Sequence, residues 1–238
     1  MDRPPRTTAP PSKGIGMTID GYETESVGLP PVVAELALFE DGIVLVNGDD
    51  AEAKSITIAA MTNHERARAT AEDRTTNIVV VGDLQDHHVT ERALELAVHR
   101  LVLATCGERI LSRAIRGVIA AFPEDRRWSI DGPIGSALIA LITPELVPTH
   151  DRPPVVAAQV LVIGPGIRGL IWSDQLDHLE SRIPQGSRFG NQTMASAYAK
   201  LVDAGRISEE VASERSFCAA KVPQELPVVE PSSTSDPR

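Results

Sequence analysis

The stretch 42-GIVLVNGDDAEAKSITIAA-60 decides the predicted fold. Its apolar, β-branched run Ile43–Val46 is typical of a buried strand, and Asn47-Gly48 predicts a turn. The segment Ser55–Arg68 has the apolar spacing of a helix. A strand, a turn that contains glycine and a helix that opens on Lys-Ser form the layout of a phosphate-binding loop.

The phosphate-binding pattern G-x-x-x-x-G-K-[ST] is only partly present. Gly48, Lys54 and Ser55 occupy their positions in it, whereas Ala53 replaces the second glycine. In an intact loop, backbone N–H groups surround the phosphate, the lysine neutralises its charge and the hydroxyl holds Mg²⁺. Gly48, Lys54 and Ser55 are therefore the candidate nucleotide-binding residues.

Acidic residues inside this loop oppose phosphate binding. Asp49, Asp50 and Glu52 place carboxylates where a triphosphate would lie. Two like unit charges about 4 Å apart repel by roughly 4 kcal/mol at a surface-like dielectric constant, so two or three acids outweigh one lysine. A polar turn without nucleotide is favoured, and the alternative is that the acids point outward or hold a cation.

Strands and helices alternate beyond this loop. Asn77–Asp83 and Leu101–Ala104 are apolar runs typical of buried strands, and helices are predicted to begin at Asp86 and to extend over Ile110–Phe122. The unbroken apolar character of Asn77–Asp83 predicts burial on both faces of its strand. The alternation predicts a layered α/β sheet with right-handed crossovers.

The pattern changes after Pro123. Leu146-Val147 and Val155–Ile163 predict a hairpin, and Pro165 begins a series of helices that includes Met194–Ala204. The carboxy-terminal part of the chain is therefore expected to be helical.

Composition divides the chain into four parts. The two ends, 1–21 and 221–238, are rich in Pro, Ser and Thr without apolar periodicity, and they are predicted to be disordered tails. Between them we expect an α/β core over 22–164 and a helical region over 165–220.

The balance of charge argues against nucleic acid as a partner. The chain has 23 basic and 33 acidic residues, a net charge of −10 and 3% aromatic residues, so basic patches and stacking platforms are scarce.

Cys106 and Cys218 form no C-x-x-C pattern, which suits a reducing compartment. The longest apolar stretch, Val155–Ile163, is too short to span a bilayer. We predict a cytoplasmic protein without membrane insertion.

Two further places in the sequence carry the residue types of a metal site and of a nucleophile. Asp86, His87 and His88 with Glu91 have the residue types of a zinc site, but adjacent histidines diverge around a helix and capping already explains Asp86. No metal site is predicted. Cys106 is interpreted as a buried thiol at a strand end, because no base is evident near it.

Three segments of the carboxy-terminal half resemble a known family. Gly166–Ile171, GIRGLI, stands where that family has A-I-R-N-L-I, Gly190–Met194, GNQTM, stands where it has G-M-Q-T-M, and Leu201–Ser208 resembles its closing helix-turn-helix. The family is the hexameric secretion ATPases, and within it the type IV pilus retraction motors of twitching motility. The similarity covers about Gly28 to Ser216, and it implies a reduced RecA-like P-loop NTPase core followed by a helical region.

The resemblance also implies cofactors and site residues. ATP and Mg²⁺ are the family's cofactors, and Asp83 stands at the position of the carboxylate that organises Mg²⁺ and the attacking water. The family's nearby arginine and histidine are Gln85 and Gly107 in this chain. The candidate interaction residues carried over from the A-I-R-N-L-I segment are Ile167, Arg168, Leu170 and Ile171.

The largest departure from the family is an absence. This chain goes almost directly from Met61 to Ile78, where the family carries an acidic catalytic box, a further strand and arginines that serve phosphoryl transfer. Phosphoryl transfer depends on positioned charge and an ordered water. The expected protein is therefore an inactive ATPase homologue, a remnant of the motor domain that does not hydrolyse ATP. No cofactor is expected, and the alternative is that ATP and Mg²⁺ still bind.

Three hypotheses for function remain. The leading one is a non-hydrolysing subunit or adaptor, in a homo- or hetero-oligomer, that contacts an intact pilus or secretion motor ATPase or pilus-base proteins. The second is a weak ATP-binding and ATP-hydrolysing motor subunit that uses Lys54, Ser55 and Asp83. The third is a diverged scaffold with no link to pili.

Overall fold

The computed structural model describes residues 23–149 and 152–220, the last four of these without their side chains. The predicted tails, 1–21 and 221–238, lie outside the described residues, as does the tip of the predicted hairpin.

A five-stranded sheet forms the centre of the described chain. Its strands are β1 Gly42–Asn47, β2 Ile78–Asp83, β3 Leu101–Cys106, β4 Leu138–Val147 and β5 Val155–Val162. The order across the sheet is β2-β3-β1-β4-β5, with parallel pairing from β2 to β4 and antiparallel pairing between β4 and β5. The predicted α/β class and the hairpin are confirmed.

Helices connect the parallel strands and then continue to the end of the described chain. Their bounds are α1 Pro31–Leu36, α2 Ala51–Ala71, α3 His87–Leu96, α4 Leu111–Ala120, α5 Glu124–Arg127, α6 Asp131–Ala137, α7 Pro165–Trp172, α8 Leu179–Arg182, α9 Met194–Asp203 and α10 Glu209–Ala220. Among the described residues, no helix combines the length and the apolar character that crossing a membrane requires.

The side chains of β1 alternate between two cores, which explains why this strand is apolar throughout. Val44 and Val46 pack in a cluster with α1 and α2, whereas Ile43 and Leu45 pack in a cluster with α3, α4, α6 and α7. Because α7 shares a core with α4, the helical region begins on the same body as the sheet. A third cluster packs α9 against β5.

Strand β2 lies at the edge of the sheet, and the prediction that both of its faces are buried is wrong. Its burial decreases along the strand, and Val80 is 52% exposed. The physical reason is topological. The chain passes from α2 through only six residues, 72–77, into β2, so that no further strand flanks β2 among the described residues.

The opposite edge, at β5, is covered. Gln192 pairs with Val160 through two backbone hydrogen bonds, and the side-chain oxygen of Asn191 accepts a hydrogen bond of 2.9 Å from the N–H of Val162. Near the start of β5, the N–H of Val156 donates to the carbonyl of Val27. The segment GNQTM that carries the family resemblance thus protects an edge strand.

Candidate functional site

The turn between β1 and α2 is shorter than the sequence predicts. Helix α2 begins at Ala51, so the predicted start at Ser55 is wrong and only 48–50 connect the two elements. The cause is Asp50, whose Oδ1 accepts a hydrogen bond of 2.9 Å from the N–H of Ala53 and caps the helix. An Asp followed by helix-forming Ala and Glu is a start signal that the phosphate-loop pattern obscured.

The second carboxylate oxygen of Asp50 is also occupied. Its Oδ2 accepts a hydrogen bond of 2.9 Å from the N–H of Leu146. Strand β4 extends past its last pairing with β1, at Ile142, so this N–H needs a partner from outside the sheet. A carboxylate therefore lies at the amino terminus of α2, where the helix dipole favours negative charge and where a phosphate would otherwise bind.

Asn47 and Gly48 fix the path of the chain into this turn. The buried Asn47 side chain donates to the carbonyl of Glu108 at 3.1 Å and to Oγ1 of Thr143 at 2.8 Å. Gly48 has φ +123°, and its N–H donates to the carbonyl of Cys106 at 3.1 Å. The backbone conformation of Gly48 requires glycine irrespective of any ligand. Its role in nucleotide binding stays a prediction.

The two residues that would contact phosphate and Mg²⁺ have partners within the chain. Lys54 Nζ donates to the carbonyl of Cys106 at 3.1 Å. The exposed hydroxyl of Ser55 donates to the carbonyl of Ala51 at 2.8 Å, as serine often does in a helix interior. Lys54 therefore lies at the carboxyl end of β3, and Ser55 points back along its own helix.

Asp83 ends strand β2 and is exposed. Its Oδ1 accepts a hydrogen bond of 2.9 Å from the N–H of Gln85, and it pairs in register with Thr105. Because the parallel strands end at one edge, the fold brings Asp83 and Lys54 to the same end of β3. The roles of Lys54 in nucleotide binding and of Asp83 in catalysis stay predictions.

Cys106 is a buried thiol at this strand end, as predicted. Burial raises the pKa of Cys106, and the carboxylate of Asp83 acts in the same direction, so the thiol is not activated as a nucleophile. The side chain of Cys218 lies outside the described residues.

The arrangement at the turn does not fit a bound triphosphate. The residues that would wrap around the phosphate form the first turn of α2, and the carboxylate of Asp50 takes the helix amino terminus. Within the described ranges, no group of three or more His, Cys, Asp or Glu side chains is arranged to hold a metal ion. The expected capping role of Asp86 is confirmed, since its Oδ1 accepts a hydrogen bond of 2.8 Å from the N–H of His88.

A buried ionic cluster next to the turn was not predicted. Glu145 of β4 is buried and accepts hydrogen bonds from Arg109 at 2.8 Å and from Arg215 of α10 at 3.0 Å. Arg109 also contacts Asp49 at 3.3 Å, so the cluster joins α10 to the turn. Burial, followed by the nearby Glu145 carboxylate, raises the pKa of Tyr198. A lone acid inside an apolar strand was the available signal, since buried acids are almost always paired.

The candidate interaction residues of α7 mainly hold the fold together. Arg168 donates to the carbonyl of Gly135 at 2.6 Å near the end of α6. Ile171 is 3% exposed, so its side chain offers no surface to a partner. Ile167 and Leu170 are partly buried and pack against the core. A contact role for Ile167, Arg168 and Leu170 stays a prediction.

Sequence comparison identifies relatives among pilus proteins. No protein-family model matches the chain. The twitching motility protein of Neisseria gonorrhoeae is 24% identical over 232 residues, which cover 80% of this chain and 62% of the relative. The type IV pilus retraction ATPase PilT of Pseudomonas aeruginosa is 25% identical over 240 residues, which cover 84% of this chain and 69% of PilT. The chain is a distant homologue of the type IV pilus retraction ATPases.

Solved structures of a pilus retraction motor and of the ATPase DotB share the fold. The pilus retraction motor PilT with bound ADP matches with a TM-score of 0.64 and 24% identity, covering 81% of this chain and 66% of that one. The ATPase DotB of Legionella pneumophila matches with a TM-score of 0.64 and 19% identity, covering 82% of this chain and 65% of that one. The predicted RecA-like P-loop core is confirmed. The chain spans less than two thirds of the length of its gonococcal relative.

Proposed function

We propose that this homologue of the pilus retraction ATPases is a cytoplasmic, non-hydrolysing subunit or adaptor. It acts through contacts with an intact pilus or secretion motor ATPase or with pilus-base proteins. The observation that carries the proposal is Asp50, both of whose carboxylate oxygens are bonded at the place where a phosphate would lie. The homology supplies the link to pili.

Nucleotide binding would require the turn to rearrange at a cost. Displacing Asp50 would remove a helix cap, worth about 1 kcal/mol, and would leave the N–H of Leu146 without its partner. The displaced carboxylate and those of Asp49 and Glu52 would then face the phosphates, and each such pair repels by roughly 4 kcal/mol at about 4 Å. Lys54 is the cation of the loop that would oppose this repulsion, and its ammonium group already donates to Cys106.

Hydrolysis of ATP would require more from these residues than binding does. A phosphoryl-transfer site needs a positioned metal and an ordered water. The Ser55 hydroxyl donates to its own helix, and Asp83 is exposed at the end of an edge strand rather than enclosed with the turn. These features favour a protein that keeps the fold of a motor subunit but does not hydrolyse ATP.

A calorimetric titration of the full chain with ATP·Mg²⁺ tests the proposal. We expect no heat of binding at millimolar ATP, either for the wild-type protein or for Lys54→Ala. Micromolar binding that Lys54→Ala abolishes would overturn it in favour of a weak ATP-hydrolysing motor subunit. The positions of Lys54 and Asp83 at one end of β3 are the observation that keeps this second candidate in view.

Affinity capture from the native cell tests the adaptor role separately. The tagged full chain should recover an intact pilus or secretion motor ATPase or a pilus-base protein. Recovery of neither, together with a gene neighbourhood free of pilus and secretion genes, would favour the diverged scaffold instead. The two experiments address different halves of the proposal, so either half can fail alone.

A further inference from the structure

Apart from one bulge and the terminal Asp83, the edge of β2 lacks, among the described residues, the protection that edge strands usually carry. Natural edge strands are blunted by lysine, proline, bulges or a covering segment, because open backbone groups can pair with another strand. The segment Asn77–Gly82, NIVVVG, contains no charge and no proline, and Val80 is 52% exposed. An extra β2 residue between Val80 and Asp83 shifts the register against β3. Such a bulge shortens the edge that can pair, which suits a reversible contact.

The two ends of β2 carry opposite charges that are not neutralised locally. Asp83 is exposed at the carboxyl end, and its Oδ1 accepts a hydrogen bond from the N–H of Gln85. At the other end, Arg100 donates to the carbonyls of Asn77 at 3.1 Å and Thr76 at 3.3 Å. In the part of the chain that the structure describes, neither Asp83 nor Arg100 has an ion-pair partner.

This charge pattern selects an occupant for the edge. A second β2 strand added in parallel would align Asp83 with Asp83 and Arg100 with Arg100. Antiparallel addition about a two-fold axis would bring each Asp83 toward the Arg100 end of the other copy, giving two favourable cross-strand pairs. We propose that two copies of this chain associate through antiparallel pairing of their β2 edges, forming one continuous sheet.

The other edge of the sheet explains why this association stops at two copies. In the described chain, β5 is covered by Gln192 along Val160 and by Val27 at Val156, so its outer edge is occupied at both positions. A two-fold contact between identical edges uses the open edge of each copy and closes the assembly. The inference stands on the edge of β2 alone and does not depend on the proposed function.

Sedimentation equilibrium of the full chain tests the dimer. Val80→Lys places two lysines near the two-fold axis, and we expect it to weaken the dimer at least about tenfold. Phe189→Lys is the matched control, because Phe189 is 62% exposed and lies three positions before Gln192, which pairs with β5 at the opposite edge of the sheet. It should leave the dissociation constant unchanged. Circular dichroism should show that both variants fold.

A charge reversal gives a second test that misfolding cannot imitate. Asp83→Arg and Arg100→Asp should each weaken the dimer by about threefold to tenfold, because each creates like-charged pairs across the axis. The double variant restores opposite charges and should recover most of the affinity. A wild-type protein that stays monomeric at about 100 µM would overturn the proposal, since even a weak specific contact is populated there. A dimer that Val80→Lys leaves intact would also overturn it.

Discussion

Gly190 and Val32 approach so closely that no other residue fits at position 190. A β-carbon at Gly190 would lie 2.7 Å from Cβ of Val32, closer than real carbon contacts allow. The backbone of Gly190 also has φ +87°, in the left-handed region. Gly190 begins the segment that covers β5, so this contact positions the edge cover against α1.

Replacing Gly190 should therefore destabilise the protein. Gly190→Ala adds a methyl group in a strained conformation against Val32, and we expect a loss of about 2–4 kcal/mol in the free energy of unfolding. Gly169→Ala is the opposite case, because Gly169 is interior to α7 and has no atom within 4 Å of its added β-carbon. It should gain about 0.5–1 kcal/mol. Urea unfolding measures both, and equal effects would contradict the packing described.

The double role of Asp50 predicts a graded series. Asp50→Ala removes the cap of α2 and leaves the N–H of Leu146 unpaired, which should cost about 2–3 kcal/mol. Asp50→Asn keeps one side-chain oxygen as a capping acceptor and should cost about 1 kcal/mol. Chemical denaturation gives both values. An Asp50→Ala protein as stable as the wild type would show that neither bond matters.

Glu65 predicts a loss of stability in acid. Burial alone would raise the pKa of Glu65, but hydrogen bonds from Thr76, Arg74 and the N–H of Asn77 outweigh it and lower the pKa below the ordinary value of 4.5. A carboxylate with a depressed pKa in the folded state stabilises the protein above its unfolded pKa, and this stability is lost as the pH falls through the folded pKa. Stability from Glu65 should therefore be complete above pH 4.5 and disappear below it.

The variant Glu65→Gln isolates this contribution. It should cost about 2 kcal/mol at neutral pH, because a buried charge-assisted network loses its acceptor. The difference from the wild type should shrink as the pH falls below 4.5. Glu72→Gln is a control on the same segment, since Glu72 pairs with Arg68 and Arg74 at the surface, with its side chain 44% exposed, and should matter little. A constant difference across the pH range would argue against the titration of Glu65.

Substitutions of Glu145 and of its partner Arg215 should lower the free energy of unfolding by unequal amounts. Glu145→Gln leaves the side chains of Arg109 and Arg215 without their buried anion and should cost about 3 kcal/mol. Arg215→Ala removes a partner that is 39% exposed, and should cost about 0.5–1 kcal/mol. Hydrogen exchange of α10 should nevertheless increase in Arg215→Ala, because this ion pair ties the helix to β4. Unchanged exchange would place the anchor of α10 elsewhere.

Local sequence patterns predicted most of the helices and strands. The wrong predictions concern features that depend on residues distant in the sequence. The run Ile43–Val46 and the cap at Asp86 depend on adjacent residues, and both are confirmed. The exposure of Val80 depends on the strand order, which periodicity does not contain. Likewise, the family resemblance makes Ile171 a candidate interaction residue, and only the packing of α7 shows that its side chain is buried.

At the candidate site, residue types were easier to predict than their partners. The acids of the turn were identified as obstacles to phosphate, but the capping bond of Asp50 and its reach to Leu146 were not. Leu146 is 96 positions away in the sequence, and its free N–H follows from the unequal lengths of β1 and β4. The pairing of Glu145 with Arg215 spans a similar gap of 70 positions.

The carboxylate of Asp50 acts as a tethered ligand of the amino terminus of α2. A free nucleotide competes for a helix terminus only at its own concentration, whereas a tethered group has an effective concentration that reaches the millimolar range or more. Under the proposed function, a nucleotide would have to displace this tethered carboxylate before it could reach the amino terminus of α2. In an assembly whose other subunits alternately bind and release nucleotide, such a chain would keep one conformation throughout the cycle.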